Sequence, residues 1–303
     1  MNKKRKLAYI AAISNALIWG AALPLVKPAL THIDPHQFLF LRYLVAAPIL
    51  LPFLIISLVK NPISIKQFLR ILVFETLSMI VLYIIYIGLD KTAALQASFL
   101  LNTKPIFTIL AGVLILKEVE ERHELVGMIL AVIGTGLVIS TPIFYSAQLT
   151  NTSFSLTGNF IIFSALLLDV VRLMGVNKFY GKINKLTIVS ISTLIGLFFF
   201  SSISYFTNTI PPLSVMNQLS VALPVLYMGT LGTILAFTFQ FIAYTYIEAS
   251  EAALFSYLQP LVYIPLSVIW LKETLLPTQL AGVIIIAIGV FIAEKRSKKA
   301  LQI

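Results

Sequence analysis

Apolar residues run in long blocks along this chain, and charged or turn-forming residues collect in the short intervals between them. Ten blocks stand out, at roughly 7–26, 36–59, 68–89, 92–116, 124–141, 158–177, 186–206, 219–246, 249–271 and 278–293. Most approach the ~20 residues that a helix needs to cross the hydrocarbon of a bilayer. Backbone groups in lipid must be bonded within their own segment, so each block is predicted as a helix. The last block is short, and 219–246 is long enough to tilt or overhang. Breakers such as "NPIS" (61–64) and "TIPPLS" (209–214) fall between blocks, where turns belong. The pattern predicts an all-α integral membrane protein with ten transmembrane helices.

Composition points the same way. Hydrophobic residues make up 59% of the 303, charged residues 11%, and the mean hydropathy is +0.96. A soluble domain is about 45–50% apolar and about 25% charged, so no soluble core absorbs this chain. The net charge of +10 raises the question of nucleic acid. The basic residues are scattered through connectors without an aromatic-studded patch, which argues against that partner. With no cysteine, disulfides, thiolate metal sites and cysteine nucleophiles are excluded. Basic residues 3–6 followed by an apolar run mimic a secretory signal, but the run of about twenty residues exceeds the usual ~7–15, which predicts a retained first span. If the N-terminus is cytoplasmic, sixteen of the 22 lysines and arginines fall in cytoplasmic segments, against Lys27, Lys91 and Lys272 opposite. Both termini are then expected inside, in a multi-pass protein of a bacterial or archaeal plasma membrane.

A shift of 155 positions lays part of the chain onto itself. Leu116, Lys117 and Glu118 fall on Leu271, Lys272 and Glu273, Pro105 on Pro260, Gly127 on Gly282, and Gly134 on Gly289. Such a gapless register marks an internal duplication, with halves at 1–146 and 147–303. Five spans per half invert the second half relative to the first, as in secondary transporters whose solute site lies at mid-membrane between repeats. The two Lys-Glu pairs then sit at hairpin turns on opposite faces. They read first as turn markers, with contact to the facing half as the alternative.

The stretches "LIWGAALPLVK" (17–27) and "FLFLRYLVA" (38–46), with both proline–Lys-Glu–glycine hairpins, resemble the EamA-type transporters of the drug/metabolite transporter superfamily. The resemblance covers nearly the whole chain. It implies ten helices in two inverted five-helix repeats around a central cavity, and export or exchange of small metabolites. Lys104 departs from the pattern, which has an uncharged residue before the first proline.

Ionisable groups inside a span cost about 2.5–3.5 kcal/mol on insertion scales and normally face a cavity or a partner. Five qualify: Arg42, Glu75, Lys104, Asp169 and Arg172. Lys104 sits at mid-depth before Pro105, which removes an intrahelical bond and disfavours helix at the preceding residue. The repeat sets Gln259 before Pro260, and Tyr257 opposite Asn102, so two kinked polar helices are expected to meet. A lysine that lines the cavity competes with one paired to Glu75. Asp169 and Arg172, three apart, share a helix face and form a candidate ion pair. Glu75 and Asp169 are candidates for proton coupling. For Arg42, a gate or headgroup contact competes with a site role. Asn15, Trp19, Tyr83, Gln96, Gln240, Tyr244 and Tyr263 are weaker cavity candidates.

The glycine pairs Gly127/Gly134 and Gly282/Gly289 predict close helix packing. "GVNKFYGKI" (175–183) misses the phosphate-binding loop by spacing and by Ile183 where Ser or Thr is needed. His32, His36 and His123 lack metal-ligand spacing, and no cofactor is called for. "NTS" (151–153) fits a glycosylation sequon. The reading is a non-enzymatic secondary transporter of a small zwitterionic or anionic solute, such as an amino acid or organic acid. The alternatives are a polytopic enzyme acting on a lipid-linked substrate, and a channel.

Overall fold

The computed structural model describes residues 3–111, 122–144, 155–179, 183–246 and 255–293. The described residues are helices and connectors, with no strand among them. The order is α1 (Lys3–Val26), α2 (Pro35–Lys60), α3 (Ile65–Lys91), α4 (Ala94–Leu101), α5 (Lys104–Ala111), α6 (Arg122–Phe144), α7 (Leu156–Phe179) and α8 (Lys185–Phe206). Then come α9 (Leu219–Tyr227), α10 (Ala236–Tyr246), α11 (Pro260–Pro265) and α12 (Pro277–Ala293). A π-helical stretch, Met228–Leu235, joins α9 to α10, and a second, Leu266–Trp270, extends α11.

Local chemistry explains the starts. Ser64 accepts from the Gln67 amide at 3.3 Å while the Gln67 side chain accepts from the Ser64 N–H at 2.8 Å. This reciprocal box satisfies two donors that a helix start otherwise leaves orphaned. Asn184 accepts from the Leu186 amide at 2.9 Å and starts α8 in a simpler way. The block expected at 92–116 does break near the proline, but just ahead of the residue expected to leave the helix: α4 ends at Leu101, Asn102 and Thr103 form a turn, and Lys104 is already the first residue of α5. Its counterpart breaks at Gln259, with α11 beginning at Pro260. The "GVNKFYGKI" stretch continues α7 as helix through Phe179, unlike a phosphate-binding loop.

Six described helical segments are long and apolar enough to cross a membrane, with shorter apolar helices at Val132–Phe144, Pro260–Trp270 and Pro277–Gly289. Large apolar side chains such as Leu7, Ile10, Ile55, Phe198, Leu219 and Phe291 face outward. Lipid tails solvate these without cost, so helix association rests on close packing and polar contacts.

The helices pair as α1 with α10, α3 with α7, α2 with α8, and α6 with α12. The α6–α12 seam shows why glycine is needed. A Cβ on Gly134 stands 2.6 Å from the Gly282 carbonyl oxygen, and one on Gly282 stands 2.8 Å from that of Gly134. No side chain fits between these backbones. Gly127 and Gly289 are buried on the same helices. At one edge of the seam Gln279 donates to Gln96, which donates to the Val138 carbonyl. Gln96 is thereby spent on packing, away from the cavity it was expected to line.

Candidate functional site

A cavity of about 680 Å³ opens between the helices, within the ~300–1,000 Å³ usual for small-molecule sites. Its wall carries Arg42, Lys104, Arg172 and Lys185 against Glu75 and Asp169, set among Trp19, Tyr43, Met79, Met228, Phe237 and Tyr263. The lining reaches Lys185, the first residue of α8, and Ala243, near the end of α10. Both lie at the end of the bundle from which α1 starts. Toward the other end it stops at Leu23, Tyr86 and Ser98.

Arg42 is the most deeply buried lysine or arginine among the described residues, only 2% exposed. It is held from three sides. The Nε donates to Thr233 Oγ1 at 3.0 Å, Nη1 reaches the Tyr86 hydroxyl at 3.4 Å, and the guanidinium lies 5.4 Å from the Tyr43 ring centre. Among the described residues no carboxylate comes within 4.0 Å of it. The π-helical stretch builds this cradle. Thr233 donates to the Met228 carbonyl five residues back at 2.7 Å, which turns its oxygen toward Arg42. A Cβ on Gly229 stands 2.8 Å from Val45 and 3.0 Å from the Arg42 carbonyl. Glycine there lets α2 sink onto the π turn. Such turns are rare and concentrate at functional sites.

Lys104 and Arg172 meet on one carboxylate. Lys104 donates to Asp169 Oδ2, and Arg172 Nε donates to Oδ1 at 2.7 Å. The expected Asp169–Arg172 pair therefore forms, with Lys104 as a third member. The alternative partner proposed for Lys104 is corrected: Glu75 instead accepts from Ser192 Oγ at 2.6 Å. The Lys104 side chain keeps 35% exposure and still fronts the cavity. Arg42, at 2% exposure, is no headgroup ligand, which settles one of its alternatives.

The remaining candidates divide. Asn15, Trp19, Gln240, Gln259 and Tyr263 line the cavity. Asn15 also donates to the Ala236 carbonyl at 2.7 Å, tying α1 to the helix that follows the π turn. Asn102 stands behind the wall, in hydrogen-bonding reach of the Tyr263 hydroxyl. Tyr83 packs edge-on against Phe200 and His36 and is absent from the wall, a correction to its expected role. It lies on the helix face away from the opening, which periodicity in an all-apolar span does not reveal. His36, in the first turn of α2, is buried and hydrogen-bonded to Thr209 Oγ1 at 2.7 Å. The side chains of Tyr257, Tyr244, Pro105 and His123, the sequon and the first Lys-Glu pair lie outside the described residues. Ser192, Thr233, Lys185 and Phe237 were not anticipated. The one available signal was "MGTLGT" (228–233), two glycines and two threonines inside an overlong apolar block.

The second Lys-Glu pair is more than a turn marker. Lys272 does make the turn, at φ 57° and exposed. Glu273 reaches across to the first half, where its two oxygens accept from the Ala94 and Leu95 amides at 2.7 Å each.

The family description "EamA-like transporter family" matches residues 6–140 and again 156–294. The chain belongs to the EamA-like transporter family. It is a membrane-embedded, multi-pass transporter protein, in contact with the bilayer and a small solute. Among its EamA-like relatives, the uncharacterized transporter YetK of Bacillus subtilis (strain 168) is 24% identical over 98% of this chain and 89% of its own. An uncharacterized transporter of Archaeoglobus fulgidus is 27% identical over 97% and 87%. A "probable amino-acid metabolite efflux pump" of Salmonella typhimurium is 25% identical over 93% and 92%. A solved crystal structure shares the fold over 96% of this chain and 98% of its own, with a TM-score of 0.62 at 12% identity.

Proposed function

We propose that this protein is a secondary transporter that exports or exchanges a small zwitterionic or anionic metabolite, such as an amino acid or organic acid, by alternating access. The observation that carries the reading is Arg42, a buried cation in the cavity wall that meets two hydroxyls and a ring but, among the described residues, no carboxylate. A buried charge is costly unless paired, and a solute carboxylate arriving in the cavity supplies the pairing that the described residues do not. Lys104 and Arg172 already share Asp169, so they widen the positive field more than they bind alone. Glu75, held by Ser192 on the same wall, is placed for an ammonium group or for a coupled proton.

Two inverted five-helix units complete the reading. The pairing of α1 with α10 and of α7 with α3 is what an exchange of halves would give, and it supports the repeat; the bias of lysine and arginine toward one side supports cytoplasmic termini. The efflux name borne by the Salmonella relative agrees with amino-acid export.

The test is flux of a panel of labelled amino acids and organic acids in proteoliposomes of the purified protein. At least one should move saturably, and Arg42→Met should abolish that flux while the protein still elutes as a single folded species. A panel with no saturable member rejects the reading, and flux that grows without saturation favours a channel.

A further inference from the structure

The end of the bundle at which the cavity stops is tied by a compact set of charges. Glu273 stands in the turn before α12. Its own N–H donates to the Ser267 carbonyl at 3.0 Å, and the left-handed Lys272 bends the chain so that the next side chain points inward. Its carboxylate caps the start of α4 through Ala94 and Leu95. The first amides of a helix have no intrahelical partner and carry the positive end of its dipole. A half-buried carboxylate taking two of them is a strong, directional contact.

Beside it, Lys27 at the end of α1 donates to the Leu89 and Asp90 carbonyls at 2.7 and 2.8 Å, which caps the end of α3. Lys27 and Glu273 also attract each other electrostatically. Four chain ends thus meet: those of α1 and α3, the start of α4, and the turn before α12. The helix that Glu273 grips is part of the cavity wall, through Ser98 and Leu101, and leads through the Asn102–Thr103 break to Lys104.

We infer that Glu273 is the latch of the gate at this end: its cap on α4 holds the two halves of the chain together there, and releasing it opens the cavity on that side. The inference rests on the transporter reading for its purpose, but its test does not require a solute. Glu273 contacts no part of the cavity wall's charged set, so the latch acts through α4 and is a positioning residue.

The absence of cysteine makes the test clean. Single cysteines are placed at Leu23, where the cavity stops, and in a second protein at Leu173, half-buried on the cavity wall toward the opposite end of α7. Labelling by a membrane-impermeant maleimide is then followed in cells and in inverted vesicles without added solute. Losing two charge-assisted caps should raise Leu23→Cys labelling about tenfold in the Glu273→Ala background, and lower Leu173→Cys labelling. Glu273→Gln, which keeps one acceptor, should fall between. Unchanged rates at both sites overturn the latch. So does a rise at both sites, because that is the signature of a loosened fold, not a moved gate. A latch that passes while no solute is transported would leave the labelling result intact and reject only the transporter reading.

Discussion

Replacing Asp169 by asparagine strands two cations at once, which makes the Lys104–Asp169–Arg172 cluster a sharp place to test the electrostatics. Asp169 and Arg172 keep side-chain exposures of 13% and 12%, while Lys104 keeps 35%. Breaking a buried pair by removing one partner costs about 3–5 kcal/mol. An exposed pair contributes only about 0–1 kcal/mol. Arg172 belongs near the first limit and Lys104 near the second, since it fronts a wet cavity. Asp169→Asn should therefore cost about 2–4 kcal/mol. Lys104→Met leaves the Asp169–Arg172 pair standing and should cost about 1 kcal/mol or less. In the double variant one stranded charge is gone, so the loss should be smaller than the sum by about 1 kcal/mol or more, the mark of coupled neighbours. Thermal unfolding in detergent, read as loss of the monodisperse elution peak, measures all three. At roughly 2–4 °C per kcal/mol, Asp169→Asn should lower the midpoint by about 4–16 °C. The reasoning fails if Lys104→Met is as damaging as Asp169→Asn, or if the two losses simply add.

Lys104→Met should also lower or redirect flux in proteoliposomes at near-normal folded yield, and an unchanged Km and rate would remove Lys104 from the site. Gly134→Val should destabilise by about 1–3 kcal/mol or more, because its Cβ falls 2.6 Å from a backbone oxygen that cannot move aside. Gly136→Ala, with nothing within 4 Å, should be neutral or gain up to about 1 kcal/mol; equal thermal shifts for the two would contradict the seam. Burial pushes the Glu273 carboxyl above the usual carboxylate range, against the pull of the Leu95 and Ala94 amides and of Lys27. A carboxyl raised in the folded state adds stability below its unfolded pKa and loses it as pH rises through the folded one. Thermal stability should accordingly fall slightly through that window, while the latch itself forms as the carboxylate ionises. Because maleimide reacts with the thiolate, whose fraction falls with pH, Leu23→Cys labelling is read as a ratio to the same cysteine in the Glu273→Ala background. That ratio should rise on acidification, with Lys27 and Asp90 the neighbouring charges. A pH-independent ratio, or an equal rise in the ratio for Glu273→Gln, would rule out titration of Glu273 as the cause.

Much of the fold was legible because its causes are local. Apolar block length gave the helices and Pro105 and Pro260 marked the breaks, while the caps at Ser64 and Asn184 start two helices at Ile65 and Lys185, ahead of the 68 and 186 that block length alone indicates. Glycines seven apart located the α6–α12 seam, since only missing side chains permit that approach. The site was legible by residue type, not by partner. That Arg42, Glu75, Lys104, Asp169 and Arg172 must escape lipid follows from the cost of burying charge. Which carboxylate Lys104 takes depends on the rotation of α7 against α5, and a span apolar on every face leaves that rotation unmarked. Thr233 escaped notice for a related reason: one extra residue in a π turn re-aims it, and no α-helical periodicity reports the insertion. Tyr83 failed in the opposite direction, being a polar aromatic at mid-depth that packs behind the wall.

The duplication and the site pull against each other, and that tension is informative. At the 155 offset Lys104 is matched by Gln259, so the charge of the first broken helix has no twin in the second. Asp169, which satisfies Lys104, comes from the second half, and so does Thr233, which orients Arg42 of the first. Both cations, the buried Arg42 and the part-exposed Lys104, thus depend on side chains from the other family-matched segment. A relative motion of the halves cannot leave either environment unchanged: it must stretch the contact of Arg42 with Thr233, or that of Lys104 with Asp169, or carry both pairs as rigid units. In the first two cases a solute carboxylate in the cavity competes for a cation that the motion itself frees. On the proposed alternating-access reading, that competition would couple occupancy of the cavity to the position of the gate. Glu273 holds the same interface from the far end, on the helix that leads to Lys104.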